Sequence, residues 1–182
     1  MSIRLVALSA LATALMGSAA LAADLTIPSS PEPILDSAGL SWEGLYIGAI
    51  GGGYTYDGDA QGFIGGVIGG NVYVADPVFV GGELQANYYF ENDDFYDAWE
   101  ILALGKIGVV VSPGFAVYAT GGVGYAQESD GTDYSEYALG AGIEAAVTES
   151  VSIRGDVLAI GYPDDGDGFT AARASVGLFY HF

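Results

Sequence analysis

From Gly44 to Phe182 apolar residues recur at every second position, segment after segment, with small or polar residues between them. A period of two is the signature of a strand with two unlike faces. In the last segment Ala172, Ala174, Val176, Leu178, Tyr180 and Phe182 share one face, and Arg173, Ser175 and His181 share the other. In the segment before it, Val151, Ile153, Val157 and Ala159 oppose Ser152, Arg154 and Asp156. Tyr137, Leu139, Ala141, Ile143 and Ala145 oppose Glu136 and Glu144, and Ile101, Ala103, Ile107 and Val109 oppose Glu100 and Lys106. Leu84, Ala86, Tyr88 and Phe90 oppose Glu83, Gln85 and Asn87, while Ile64, Ile68, Val72 and Val74 oppose Gln61 and Asn71.

Turn signals divide these segments, and two kinds of turn take turns along the chain. Short ones fall at Asp76-Pro77, Ser112-Pro113-Gly114 and Thr148-Glu149-Ser150; longer, acidic ones fall at 56–60, 91–97, 128–135 and 162–168. Seven connections imply eight strands, expected near 44–56, 60–75, 77–91, 96–112, 114–127, 134–147, 151–162 and 169–182. The glycine-rich first and fifth leave their facing open.

The charges decide which face meets what. The chain holds 23 acidic and 4 basic residues, a net charge of −19. Lys106, Arg154 and Arg173 all fall on the polar face, as do Glu83, Glu100, Glu136, Glu144 and Asp156. A soluble barrel would show water its charges and bury its Val, Ile and Leu. Here the charges are sequestered, so the apolar face looks outward into lipid and the polar face inward. Strands can span lipid only in a closed barrel, where every backbone group is paired. The expected fold is therefore all-β: an eight-stranded antiparallel up-and-down transmembrane β-barrel. An aromatic residue at the last position then has a purpose, since ring side chains favour the membrane–water boundary. Tyr46, Tyr88, Phe90, Trp99, Phe115 and Tyr125 lie near other expected strand ends and are candidates for two aromatic girdles.

Residues 1–22 differ from all this. Arg4, an apolar run from Leu5 and small residues ending in Ala20-Leu21-Ala22 read as a secretory signal peptide, cleaved after Ala22 or Ala23. Its loss takes the net charge from −19 to about −20. Residues 23–43, with Pro28, Pro31 and Pro33, read as an extended periplasmic lead-in, and 44–182 as the barrel. There is no cysteine, so stability does not come from disulfides.

The opening W-x-G-x-Y-x-G (Trp42, Gly44, Tyr46, Gly48), the "GGVIGGNVYV" second strand and the closing "GLFYHF", behind a signal and "AADL", resemble the small outer-membrane barrels of the Omp25 and opacity-protein type found in alphaproteobacteria. The resemblance covers nearly the whole chain. It implies an eight-stranded barrel of the outer membrane with a periplasmic N-terminus, and no single function: such proteins are structural, adhesive or immune-evading. It also implies that Val176, Leu178, Tyr180 and Phe182 form the C-terminal signal read by the barrel-assembly machinery. The loops here are shorter and more acidic than those of opacity-type adhesins.

Inside a barrel of eight strands, buried charges must be paired. Neighbouring strands suggest Glu144 with Arg154, Glu83 with Lys106, and Asp156 with Arg173. Such a set is either a salt-bridged plug or a narrow ion path. The longer connections carry twelve acids and no Lys or Arg. "DDGDG" at 164–168 offers Asp164, Asp165 and Asp167 as candidate cation ligands, without the full spacing of a calcium loop. Divalent cations bridging these loops to one another or to lipopolysaccharide are the expectation they raise; outer-membrane lipid is the other partner. A −20 chain is no binder of nucleic acid. The glycine runs are not phosphate loops, since no Lys-Ser/Thr follows. A barrel enzyme acting on lipid would need a His–Ser or similar arrangement near the outer rim; the single histidine, His181, falls at the periplasmic end, and there is neither a cysteine nor zinc-ligand spacing, so neither catalysis nor a cofactor is expected. The reading is a structural or surface barrel, against a narrow pore for small ions, an adhesin working through its acidic loops, and a soluble secreted barrel with a ligand pocket.

Overall fold

A computed structural model of the protein describes residues 39–93, 95–163, 166 and 168–182. The expected signal segment 1–22, the lead-in as far as residue 38, and the candidate ligands Asp164, Asp165 and Asp167 lie outside the described residues. Eight strands follow one another: β1 (Gly44–Tyr56), β2 (Asp59–Ala75), β3 (Val78–Tyr89), β4 (Ala98–Ser112), β5 (Phe115–Glu128), β6 (Asp133–Ala146), β7 (Val151–Gly161) and β8 (Phe169–His181). Each pairs antiparallel with the next, and β8 returns to pair with β1, so the sheet is a closed barrel. Closure leaves no edge, which is the condition for strands in lipid.

Connections alternate between a short-turn end and a long-loop end. One expected long connection is in fact tight. Asp57 and Gly58, with φ of 51° and 109°, form a two-residue hairpin between β1 and β2. Asp-Gly tolerates positive φ at both central positions, the geometry that matches the twist of two paired strands.

The faces are inverted relative to a soluble protein. Val176 and Leu178 on β8 are 60% and 59% exposed, whereas Arg154 and Arg173 are 1% and 2% exposed. Ile64, Ile68, Leu84, Ile101, Ile107, Leu139 and Ile143 also point outward, while Glu83, Glu100, Lys106, Glu136 and Glu144 are buried within the barrel. Exposed apolar surface on every strand is the mark of a lipid-facing wall. β1 and β5, ambiguous from sequence, send their even positions inward: Tyr46 and Ile50, Ala116, Tyr118 and Thr120.

The interior is not purely polar. Phe63, Phe79, Tyr89, Leu102, Ile160 and Phe179 are also buried there. Glycines on the opposing strands make room for these rings: a Cβ at Gly69 would lie 2.6 Å from the Tyr46 ring. The last lead-in residues join this core. Leu40 and Trp42 pack with Phe79, Ala116 and Tyr118 at the short-turn end. Trp42 donates its indole N–H to the Pro113 carbonyl (3.2 Å), and its own carbonyl accepts from Asn71 (3.2 Å).

Candidate functional site

The inward faces of the strands bring the buried charges together in tiers. Nearest the short-turn end, Glu144 accepts from the Ser152 hydroxyl (2.5 Å) and lies 3.0 Å from His181 Nε2. The middle tier centres on Glu83, which takes Arg154 at 2.5 Å, Lys106 at 3.4 Å, and the hydroxyl of Tyr46 at 2.7 Å. Arg154 also reaches Asp156 (3.0 Å), whose carboxylate accepts from Tyr118. Aromatic faces complete the coordination of the cations. The Arg154 guanidinium sits 3.8 Å from the Phe179 ring centroid, and Lys106 Nζ lies 4.7 Å and 4.6 Å from those of Tyr46 and Tyr118. Cation–π contacts of this kind gain strength away from water.

Above that tier, Arg173 binds Glu100 (2.7 Å), Gln85 (2.6 Å) and the Tyr89 hydroxyl (3.1 Å). Glu100 accepts further from Asn87 (2.8 Å) and from Tyr89. Glu136 lies beside Glu100, 3% exposed, and its Oε1 has no hydrogen-bond partner. Here the packed lumen gives way to a cavity of about 360 Å³ that opens toward the long-loop end. Glu100 and Glu136 line it together with tyrosines of β1, β3 and β6 and Tyr162.

Two expected pairings are corrected. Glu144 and Arg154 are directly opposed across β6 and β7, yet Arg154 does not bind Glu144. Its side chain crosses the lumen to Glu83 on β3, where one guanidinium meets two carboxylate oxygens, at 2.5 and 3.2 Å. Arg173 likewise reaches across to Glu100 rather than to Asp156; on the adjacent strand Asp156 is paired in register with Ser175, while Arg173 is paired with Leu158. A barrel this narrow puts the opposite wall within reach of an arginine, and a linear reading sees only neighbours in the sheet. Lys106 and Glu83 are together, as neighbouring strands suggested.

The sequence profile of the outer membrane protein beta-barrel domain matches residues 8–182. The chain belongs to that outer-membrane barrel family. Among solved structures it is similar to the N-terminal β-barrel domain of OprF from Pseudomonas aeruginosa, with a TM-score of 0.55, 16% identity, and coverage of 75% of this chain and 97% of that one. It is similar to Ail, the attachment invasion locus protein of Yersinia pestis, with a TM-score of 0.55, 14% identity, and coverage of 76% and 96%. Neisserial surface protein A gives a TM-score of 0.51 at 12% identity, with coverage of 78% and 98%. No curated protein matches the chain by sequence.

In an outer-membrane barrel the outward rings mark the two interfaces. Tyr88, Phe90, Trp99 and Tyr125 are exposed near the long-loop end, with Trp99 stacked near Tyr125 at 5.6 Å. Tyr73, Tyr180 and Phe182 are exposed near the short-turn end, and Phe115 is partly so. Tyr46 is corrected: it is buried in the lumen and belongs to no girdle. Register gives the reason. Tyr46 is directly opposed to His181, and directly opposed residues on paired strands share a face, so a lumenal His181 places Tyr46 in the lumen. That parity was available from the sequence once β1 was paired with β8.

The acidic loops are tied as well as solvated. Asp97 accepts from the Tyr88 hydroxyl (3.0 Å), and its carbonyl accepts from the Ser129 amide (2.9 Å), joining the β3–β4 and β5–β6 loops. Hydrogen bonds from Ser129 and Tyr88 hold the Asp97 carboxyl below its ordinary value; the Thr132 amide does the same for Asp130. Among the described residues no group of three or more His, Cys, Asp or Glu side chains is arranged to hold a metal ion.

Proposed function

We propose that the protein is a non-conducting, non-catalytic structural and surface barrel of the bacterial outer membrane, akin to the Omp25 and opacity-protein type. The filled lumen carries this reading. The Glu83–Arg154–Lys106 tier and the Arg173–Glu100 tier both cross the barrel, backed by Phe63, Phe79 and Phe179. An ion passing through would have to displace cations already bound to carboxylates in a dry site. Purified protein in a planar bilayer should show no steady conductance. A stable, cation-selective channel would make it the narrow pore instead.

In this reading the signal segment is removed after Ala22 or Ala23, and Phe182, Tyr180, Leu178 and Val176 are read by the assembly machinery as strand β8 closes on β1. Their outward facing supports it, since the terminal ring sits where a machine working from the lipid side would meet it. The acidic long-loop end faces outside the cell, next to lipopolysaccharide, with divalent cations between carboxylates and phosphates. The adhesin reading gets no support from Ail, which has been seen with the heparin analogue sucrose octasulfate. A polyanion would be repelled by the carboxylates around this barrel's mouth.

A further inference from the structure

We propose that the cavity at the long-loop end is a binding site for a small free organic ammonium ion. Three observations converge there. First, the walls are aromatic: Tyr54, Tyr56, Tyr134 and Tyr162 surround the space, and Tyr89 lies deeper. They are held as a set rather than splayed. The hydroxyls of Tyr54 and Tyr162 are 2.6 Å apart, and the rings of Tyr56 and Tyr134 stand edge-to-face to Tyr162 at 6.1 and 5.9 Å. A wall of several aromatic rings recognises alkylammonium groups through the negative π-surface.

Second, the carboxyls at the bottom outnumber the cations. Glu100 and Glu136 share one guanidinium, Arg173, which binds Glu100. Glu136 is 3% exposed and lines the cavity; it hydrogen-bonds with Glu100, and its Oε1 has no protein partner. A buried carboxylate oxygen left without a donor is costly, and a bound cation would supply what is missing. Third, the approach is acidic: Glu128 and Asp133 line the cavity, and no Lys or Arg does.

These features choose among ligands. Among the described residues no three metal-ligating side chains converge, so the site does not suit a divalent ion stripped of water. An alkylammonium needs fewer oxygens and uses the rings. The volume of about 360 Å³ lies within the range of small-molecule pockets. A zwitterionic headgroup would bring its phosphate against Glu128 and Asp133, so the free cation is favoured over a lipid headgroup.

The test uses full-length protein folded in a maltoside detergent, since zwitterionic detergents carry the ammonium group themselves. Folding is checked by the mobility shift between boiled and unboiled samples in SDS. Choline is titrated by calorimetry, alongside its neutral isostere 3,3-dimethylbutan-1-ol, phosphocholine and calcium. Choline should bind saturably, phosphocholine more weakly, and the isostere not measurably. Glu136→Gln should weaken choline roughly tenfold or more, the loss expected for a hydrogen-bonding partner of a charged group. Tyr162→Leu should weaken it roughly threefold to thirtyfold, the range for one cation–π face. Equal binding of the isostere would make the cavity merely apolar. Tighter phosphocholine would make it a headgroup site, and calcium displacing choline at equal concentration would make it a metal site. No saturable choline binding by folded protein, or unchanged binding in both variants, would also overturn the proposal. The two variants stand on different elements, so failure of one to fold leaves the other decisive.

Discussion

The two halves of the lumen are built on different terms. Toward the short-turn end each buried acid meets a cation or a hydroxyl: Glu83 takes Arg154 and Lys106, Asp156 takes Arg154 and Tyr118, and Glu144 takes His181 and Ser152. Trp42 and Leu40 close that end. Toward the long-loop end one arginine serves two glutamates, the packing opens into a cavity, and an oxygen is left without a partner. The lower half is arranged as a rigid plug, and the upper half leaves a buried carboxyl oxygen unpartnered beside a cavity, at a cost in local stability. Proteins concentrate such unsatisfied groups where something else is to be bound.

The contrast is sharpest in the middle tier. Arg154→Ala would leave Glu83 with Lys106 as its one cation and take the cation from Asp156, both in a dry interior. Breaking a buried pair by removing one partner costs about 3–5 kcal/mol. We expect the largest fall in the urea midpoint in vesicles of any single lumenal change, and loss of the SDS-resistant unboiled form. An unfolding free energy within about 1 kcal/mol of wild type would mean that water already reaches the tier, and the plug would no longer separate the halves. Next in size is Trp42→Ala, which removes a buried ring and the bond to Pro113. Large-to-small changes of an aromatic cost about 3–5 kcal/mol in a full core; here at the rim of the barrel the lower figure is expected. Urea unfolding reads it on the same scale.

Much of this architecture is written in the sequence because lipid and lumen sort residues with a period of two. Every even position of the stretch from Ala172 to Phe182 is apolar, with Arg173, Ser175 and His181 between, and the facing of β8 follows at once. Strand limits fall within two residues of their expected positions, because turn chemistry at Pro77, Pro113 and Gly114 punctuates the chain. Three things were not legible. Cross-lumen pairs such as Glu83 with Arg154 depend on which strands face each other across the barrel, and local spacing carries no such information. The interior rings of Phe63 and Phe179 look by hydropathy like lipid-facing ones; only parity with Gln61 and His181 sets them inside. The cavity itself is a matter of what does not fill it, and composition does not report empty space.

A paired substitution tests the halves against each other. Glu144→Gln keeps an acceptor oxygen but removes the charge that His181 and Ser152 meet, and should lower stability by about 1–2 kcal/mol. Glu136→Gln replaces a buried carboxyl that has an unpartnered Oε1 and stands beside Glu100, and should leave the stability read from urea unfolding unchanged or raise it by up to about 1 kcal/mol. Opposite signs at two glutamates of equal burial would locate the difference in their partners. A loss at Glu136 as large as that at Glu144 would mean that Glu136 is as fully partnered as Glu144, and would remove the argument for a site beside it.

The smallest effect lies outside the lumen, in the loops. Asp97 has a carboxyl held below its ordinary value by hydrogen bonds from Ser129 and Tyr88, so its folded form prefers to be charged. The sign follows: the stabilisation is fully present above the ordinary aspartate value of 3.8 and is lost as pH falls through the lower value in the folded protein. The group sits in the loops at the rim, so the consequence is local. Amide exchange at Ser129, whose N–H bonds the Asp97 carbonyl, should quicken in that acid window relative to the intrinsic rate, with the SDS-resistant barrel unchanged. Asp97→Asn should flatten the dependence. If the barrel itself loosened over the same window, the loops and the lumen would be one cooperative unit, and the separation between an acidic rim and a locked plug would not hold.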